Sequence, residues 1–238
     1  SNQELRNPSA YHYVIGLQHL LTENTRFTLE AYSKKYKNLP LDPLQPALFV
    51  MDESFQSGYF SYHEALVDSG RARSYGIEIM IQKKLMEKLY GLVSGSYFRT
   101  RYRGFDRQWR SRVYDNQYIL SIEGGYRLNL GWEFGLKWHL AGGAPFTPYD
   151  TGLSARVNAG IYDQDKINGV RQPAYHTLNL RIDRRFYFSA SNLTVYFSIW
   201  NVYNRKNLAF YFWNSLENRM DRENQWGILP VLGVEFEF

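Results

Sequence analysis

Six arginines crowd one segment: Arg99, Arg101, Arg103, Arg107, Arg110 and Arg112, with Tyr102, Phe105 and Trp109 set between them. Guanidinium groups hold phosphate and carboxylate through paired N–H donors and stack on aromatic rings. The segment is therefore a candidate site for an anionic ligand or for lipopolysaccharide. The same residues also read as a solvated loop whose arginines pair with nearby acids such as Asp106 and Asp115. Tyr211 and Trp213 are the other candidates for ligand contact. Nothing comparable points to catalysis. There is no Gly-x-Ser-x-Gly turn, no phosphate-binding loop and no paired-His metal motif. His12, His19, His63, His139 and His176 stand apart from one another, and there is no cysteine. No catalytic residue, metal or cofactor is expected, and the chain is read as a non-enzyme.

The elements that carry these residues alternate. Trp132, Phe134, Leu136, Trp138 and Leu140 face Glu133, Gly135, Lys137, His139 and Ala141 in a period of two, which puts the two sets on opposite sides of a sheet. Ile77, Ile79 and Ile81 repeat the pattern. So do Leu178, Leu180 and Ile182, and Leu232, Val234, Phe236 and Phe238. Weaker members begin at Tyr11, Phe27 and Tyr118. The run from Tyr90 to Arg101 is a strand whose faces the pattern does not assign.

The connections alternate too. Short ones fall near residues 23–24, 85–89, 128–131 and 189–192, and long polar ones at 37–72, 103–115, 144–173 and 214–225. Antiparallel membrane barrels have tight periplasmic turns and long extracellular loops. With residues 193–213 taken as one long ascending strand, kinked near Asn204, the total is nine strands, the first descending from outside. Simple bacterial barrels have an even number of strands, so nine suggest the back part of a larger barrel. The fold class expected is all-β: an antiparallel meander of about nine long strands, the C-terminal portion of a transmembrane β-barrel.

Four stretches resemble one family. Gly142-Gly143-Ala144-Pro145-Phe146-Thr147-Pro148-Tyr149-Asp150 is similar to a segment where a late strand leaves the membrane. Asn201-Val202-Tyr203-Asn204-Arg205-Lys206-Asn207 is similar to a segment of the penultimate strand, and Leu232-Gly233-Val234-Glu235-Phe236-Glu237-Phe238 to the last strand. Arg73-Ser74-Tyr75-Gly76-Ile77-Glu78 resembles a recurring strand start. Together the chain resembles the C-terminal part of the barrel of a TonB-dependent outer-membrane receptor, of the kind common in Bacteroidetes-like bacteria. The resemblance implies a 22-stranded barrel, a single segment over residues 1–238, and import of an iron chelate, cobalamin or a glycan. It implies outer-membrane lipid, upstream strands, a plug, the TonB system and the barrel-assembly machinery as partners. Phe236 and the terminal Phe238 then read as an assembly signal.

Composition agrees. Aromatics are 17% of residues, and Tyr75, Tyr126, Trp132 and Tyr149 read as interfacial anchors. Mean hydropathy is −0.47, uninformative for strands that alternate. No apolar run approaches the ~20 residues of a membrane helix. The net charge of +5 permits attraction to anionic lipid, and nucleic acid is not expected. Two other readings are a small outer-membrane barrel enzyme acting on lipid and a soluble all-β binding module.

Overall fold

The computed structural model describes residues 2–53 and 62–238. Its strands are β1 (Ser9–Thr22), β2 (Thr25–Leu41), β3 (Val67–Lys83), β4 (Leu89–Arg103), β5 (Trp109–Ser111), β6 (Tyr118–Arg127) and β7 (Trp132–Ala141), then β8 (Pro145–Phe146), β9 (Val170–Arg171), β10 (Tyr175–Tyr187), β11 (Asn192–Trp200), β12 (Leu208–Asn214), β13 (Arg219–Asn224) and β14 (Leu229–Glu237). Nine of them form one antiparallel meander, β1-β2-β3-β4-β6-β7-β10-β11-β14, with β5 added beside β4. Nine long strands were expected, and nine form the meander, with β5 the tenth strand of the sheet. Every step in the meander is antiparallel, so the short turns at 23–24, 84–88, 128–131 and 188–191 lie at one end. The connections at 42–66, 104–117, 142–174 and 201–228 lie at the other. Part of the first long loop lies outside the described residues.

Register makes one face apolar. Directly opposed residues share a face. Ile79, Gly95 and Leu120 form one row, and Ile81, Val93 and Ile122 the next. Leu136 lies opposite Leu180, Phe134 opposite Ile182, and Val195 opposite Val234. Most of these large side chains are exposed: Ile77, Val93, Leu136, Val234 and Phe236 are all more than two-fifths exposed. The strand from Tyr90 to Arg101 is thereby assigned: odd-numbered residues point outward and even-numbered ones inward. An apolar face this wide is stable only against hydrocarbon or a partner. The opposite face is polar. Lys137 pairs with Glu123 at 2.9 Å, Arg127 with Glu133 at 2.7 Å, and Arg181 with Asp183 at 2.6 Å. Tyr90 also donates to Glu133. Two glycines seat rings there. A Cβ on Gly125 would collide with the Tyr90 hydroxyl, and one on Gly233 with the Tyr196 ring.

Leu136→Arg should therefore destabilise the assembled barrel by about 2–4 kcal/mol, the cost of an arginine at the bilayer midplane. Lys137→Arg, one residue on and across the sheet, should leave it near wild type. Urea unfolding in lipid vesicles measures both; equal midpoints would mean the faces are reversed or the sheet is not in lipid.

One expected strand is broken. Residues 193–213 do not run as a single kinked strand: β11 ends at Trp200, and β12 pairs with β13 in a separate hairpin. Asn201 and Asn204 adopt positive φ values of 51° and 54°, a region asparagine tolerates better than most residues. Their amides then replace the lost ladder bonds. Asn201 Nδ2 donates to the Arg205 carbonyl at 2.8 Å, and the Ile228 amide donates to Asn204 Oδ1 at 3.1 Å. Asn207 exchanges bonds with the His176 backbone. The Asn-rich segment is a latch that stops β11 and ties it to its neighbours.

The buried apolar core is small: Leu39, Leu41, Phe49, Ala72 and Tyr102. It lies on the inner face at the long-loop end, where residues 42–53 fold back over β3 and β4. Phe49 stacks on Tyr102 at 4.7 Å, and the Tyr102 hydroxyl donates to the Ala47 carbonyl at 2.7 Å.

Candidate functional site

The long-loop end holds most of the candidate ligand residues, and the strand register divides them. Arg99, Arg101 and Arg103 occupy the outward rows of β4, and Trp109 lies opposite Arg103 on the same face. Arg110 lies opposite Tyr102 on the inner face. Arg107 caps an exposed turn with φ 63°. The arginine-rich segment is thus not one patch.

Several of its charges are met by acids. Arg110 grips Asp106 through two bonds of 2.9 and 2.6 Å, which holds the carboxyl below its ordinary range. Arg112 binds Asp52, fully buried, at 2.5 Å, and its guanidinium lies 5.1 Å from the Phe49 ring. Asp115 is 1% exposed and serves as a hub. It accepts from the Thr100 amide at 2.8 Å, from the Ser111 hydroxyl at 3.1 Å and from Arg171 at 2.5 Å, with Arg99 3.7 Å away. Composition and spacing had no means of naming Asp52 or Arg171, both far away in sequence.

Tyr211 and Trp213 come together with residues of the family-like Pro-aromatic segment. Phe146 stacks on Tyr211 at 4.8 Å, Tyr149 on Tyr162 at 4.9 Å, and Trp213 meets the Tyr149 ring edge-on at 6.0 Å. Tyr149 is therefore a member of this loop cluster and not an interfacial anchor, because it lies beyond the end of every membrane-length strand. Gly142 and Gly143 make the approach possible: a Cβ on either would strike the backbone carbonyl of Asn116 or Gln172. Asp150 caps the short helix Thr151–Val157, and Asn218 donates to the Ala155 carbonyl at 2.9 Å, fixing the β12–β13 hairpin against it. Among the described residues, the buried Trp213 Nε1 has no hydrogen-bond partner. A donor left unpaired within an aromatic cluster suits an acceptor on a bound molecule.

The histidines divide as well. His139 meets the Ser121 hydroxyl at 2.8 Å on the inner face. His19 and His176 stand on outward rows, opposite Phe27 and Leu140. His63 lies in the first long loop, its ring between two carboxylates: Asp42 at 2.7 Å from Nδ1 and Glu53 at 2.9 Å from Nε2. All three side chains are under a tenth exposed. Both ring nitrogens can donate only in the imidazolium. Its pKa is raised by the two hydrogen-bonded acids, and that of Asp42 is lowered chiefly by the His63 bond.

This loop contact should have a pH window. The His63 contribution is complete below the ordinary histidine value of about 6.5 and fades as pH rises through the higher folded value. The Asp42 contribution is complete above about 3.9 and fades as pH falls through the lower folded one. Hydrogen exchange over residues 42–53 should be slowest near pH 5–6 and faster, after correction for intrinsic rates, at pH 9. A His63→Gln variant should lose the difference; a flat profile in the unaltered protein would show that the loop is not held by this charge.

Comparison with known proteins places the chain. The model of the TonB dependent receptor-like β-barrel family matches residues 2–202. No curated protein matches it by sequence. Similar solved structures include the ferric-catecholate import receptor Fiu of E. coli (TM-score 0.65, 10% identity, 99% of this chain). They also include the ferripyoverdine receptor of the Pseudomonas aeruginosa outer membrane (0.62, 13%, 97%) and the FrpB iron transporter of Neisseria meningitidis (0.63, 14%, 98%). The chain spans 28%, 27% and 32% of those three proteins. At these identities the likeness is one of fold.

Proposed function

Because the chain belongs to the TonB-dependent receptor-like β-barrel family of the bacterial outer membrane, we propose that it forms part of the wall of an energy-coupled importer for a scarce nutrient. The observation that carries the reading is the gathering of all four long connections at one end of the sheet, with an aromatic cluster among them. The three solved neighbours named above are described as receptors or transporters of iron or iron compounds, which favours an iron chelate over cobalamin or a glycan.

In this reading a plug supplied by the rest of the protein fills the lumen against the polar inner face. TonB acts through that plug, and Phe236 and Phe238 help the barrel-assembly machinery recognise the last strand. Ligand contact is assigned first to Tyr211 and Trp213, then to Arg107 and Arg110 at the rim. Arg99, Arg101, Arg103, Trp109 and Arg112 are assigned to structure or to the outer surface instead.

Uptake by cells carrying the complete receptor tests this. A panel of ferric catecholate, ferric citrate, cobalamin and an oligosaccharide should contain a substrate whose accumulation stops when the proton gradient is collapsed. The double change Tyr211→Ala with Trp213→Ala should weaken its binding about tenfold, a loss of about 1.4 kcal/mol. Gradient-independent entry of every solute would overturn the importer reading. Accumulation of the oligosaccharide alone would overturn the iron assignment.

A further inference from the structure

The outward face of β2, β3 and β4 changes character near the long-loop end. Up to Ile77 and Tyr97 its rows are apolar: Ile77 opposes Tyr97, and Ile81 opposes Val93; the next row is mixed, with Tyr75 between Ser33 and Arg99, whose guanidinium lies 3.7 Å from Asp115. Beyond them the rows are cationic. Lys35, Arg73 and Arg101 stand directly opposite one another on three neighbouring strands, and Arg71 opposes Arg103 on the next row. Lys37 follows on β2, over the Tyr11 ring at 5.0 Å. Trp109 floors the patch, with the Arg73 guanidinium 4.4 Å from its ring centroid.

Two features of this patch stand out. Among the described residues none of these six cations forms an ion pair, while neighbouring Arg110, Arg112 and Arg171 all do. Like charges directly opposed across strands are destabilising unless something neutralises them. The patch also begins where the apolar stripe ends, on the face turned to lipid, so it sits at the depth of lipid headgroups and not in the lumen.

We propose that this face binds the headgroup of an outer-leaflet lipid carrying more than one phosphate. The arginines and lysines hold the phosphates, and Ile77, Ile79 and Tyr97 pack against the acyl chains below. A single phosphate would leave most of the six charges unmatched, whereas a headgroup with two separated phosphates spans both cationic rows. The inference rests on the membrane placement of the sheet but not on what the receptor imports.

The test uses the complete receptor in neutral-detergent micelles doped with diphosphorylated lipid A, its dephosphorylated form, or phosphatidylcholine. Inorganic pyrophosphate in solution is a fourth arm. Bound lipid is counted by native mass spectrometry. The diphosphorylated lipid should be retained at least tenfold more than either other lipid, and more weakly as salt rises. Arg73→Gln with Arg101→Gln should cut retention about tenfold, and the Lys pair at the same positions should restore most of it. Arg222→Gln, which removes a charge from the exposed β13 hairpin, should leave it unaltered. Equal retention of the phosphorylated and dephosphorylated lipids in the unaltered receptor would overturn the proposal without any variant. So would equal loss in Arg222→Gln, or pyrophosphate competing as well as the lipid.

Discussion

Residues 1–238 produced alone and reconstituted into planar bilayers should yield no monomeric, ion-conducting pore. The sheet has two edges: among the described residues β1 pairs only with β2, and β14 only with β11. β1 is 14 residues long and β14 is 9. Along an edge strand about half of the backbone N–H and C=O groups point away from the sheet. In hydrocarbon each unpaired group costs several kcal/mol, so two such edges cost on the order of tens of kcal/mol. That far exceeds the ~5–15 kcal/mol by which ordinary domains are stable. The isolated chain must pair with other strands, pair with copies of itself, or stay out of the bilayer. Co-production with the upstream strands should restore insertion. Unitary conductance from the isolated chain, shown to be monomeric by single-molecule photobleaching, would mean that β1 and β14 close on each other.

The second large effect concerns Asp115. Asp115→Ala should destabilise the long-loop end by about 3–5 kcal/mol, the usual result of removing one partner from a buried ion pair. The Arg171 guanidinium, the Thr100 amide and the Ser111 hydroxyl would all lose their acceptor. Asp115→Asn keeps an oxygen for the Thr100 amide while removing the charge, and should fall between the two. Hydrogen exchange should quicken around residues 100, 111 and 171 in step with these losses. An Asp115→Ala receptor with unaltered exchange at those positions would show that water or rearranged acids replace the carboxylate easily.

The membrane-facing architecture was legible in sequence because lipid imposes a simple rule. Every outward residue from Trp132 to Leu140 must be apolar and every inward one need not be, so the period of two survives unbroken. The β4 faces were not legible. Gly91 and Gly95 sit on its outward rows while Leu92 and Phe98 face inward, so the alternation is blurred until Ile79 and Leu120 fix the register from either side. The break after Trp200 was hidden for a different reason. Residues 208–213, Leu-Ala-Phe-Tyr-Phe-Trp, are as apolar and aromatic as a spanning strand, and only the left-handed turns at Asn201 and Asn204 divert them into a hairpin.

The loop site was legible in composition but not in partnership. Acids near the arginines were expected to pair with some of them, and Asp106 and Asp115 do. The Asp52–Arg112 and Asp115–Arg171 contacts join residues 60 and 56 positions apart. His63 is likewise enclosed by acids 21 and 10 residues away. Such pairs are set by how the loops fold over the sheet, which no local pattern encodes.

The central claim is that this sheet crosses the outer membrane with odd residues of β4 and even residues of β7 in lipid and the long loops outside. The absence of cysteine makes labelling of single introduced cysteines the direct measurement. In intact cells making the complete receptor, a membrane-impermeant maleimide should modify Gln164→Cys in the third long loop. It should reach Asn24→Cys only after the outer membrane is opened. In isolated membranes Lys137→Cys should react with the water-soluble reagent, while Leu136→Cys should react only with a lipid-soluble one. Equal labelling of positions 136 and 137, or access to position 24 but not 164 from outside the cell, would contradict the claim.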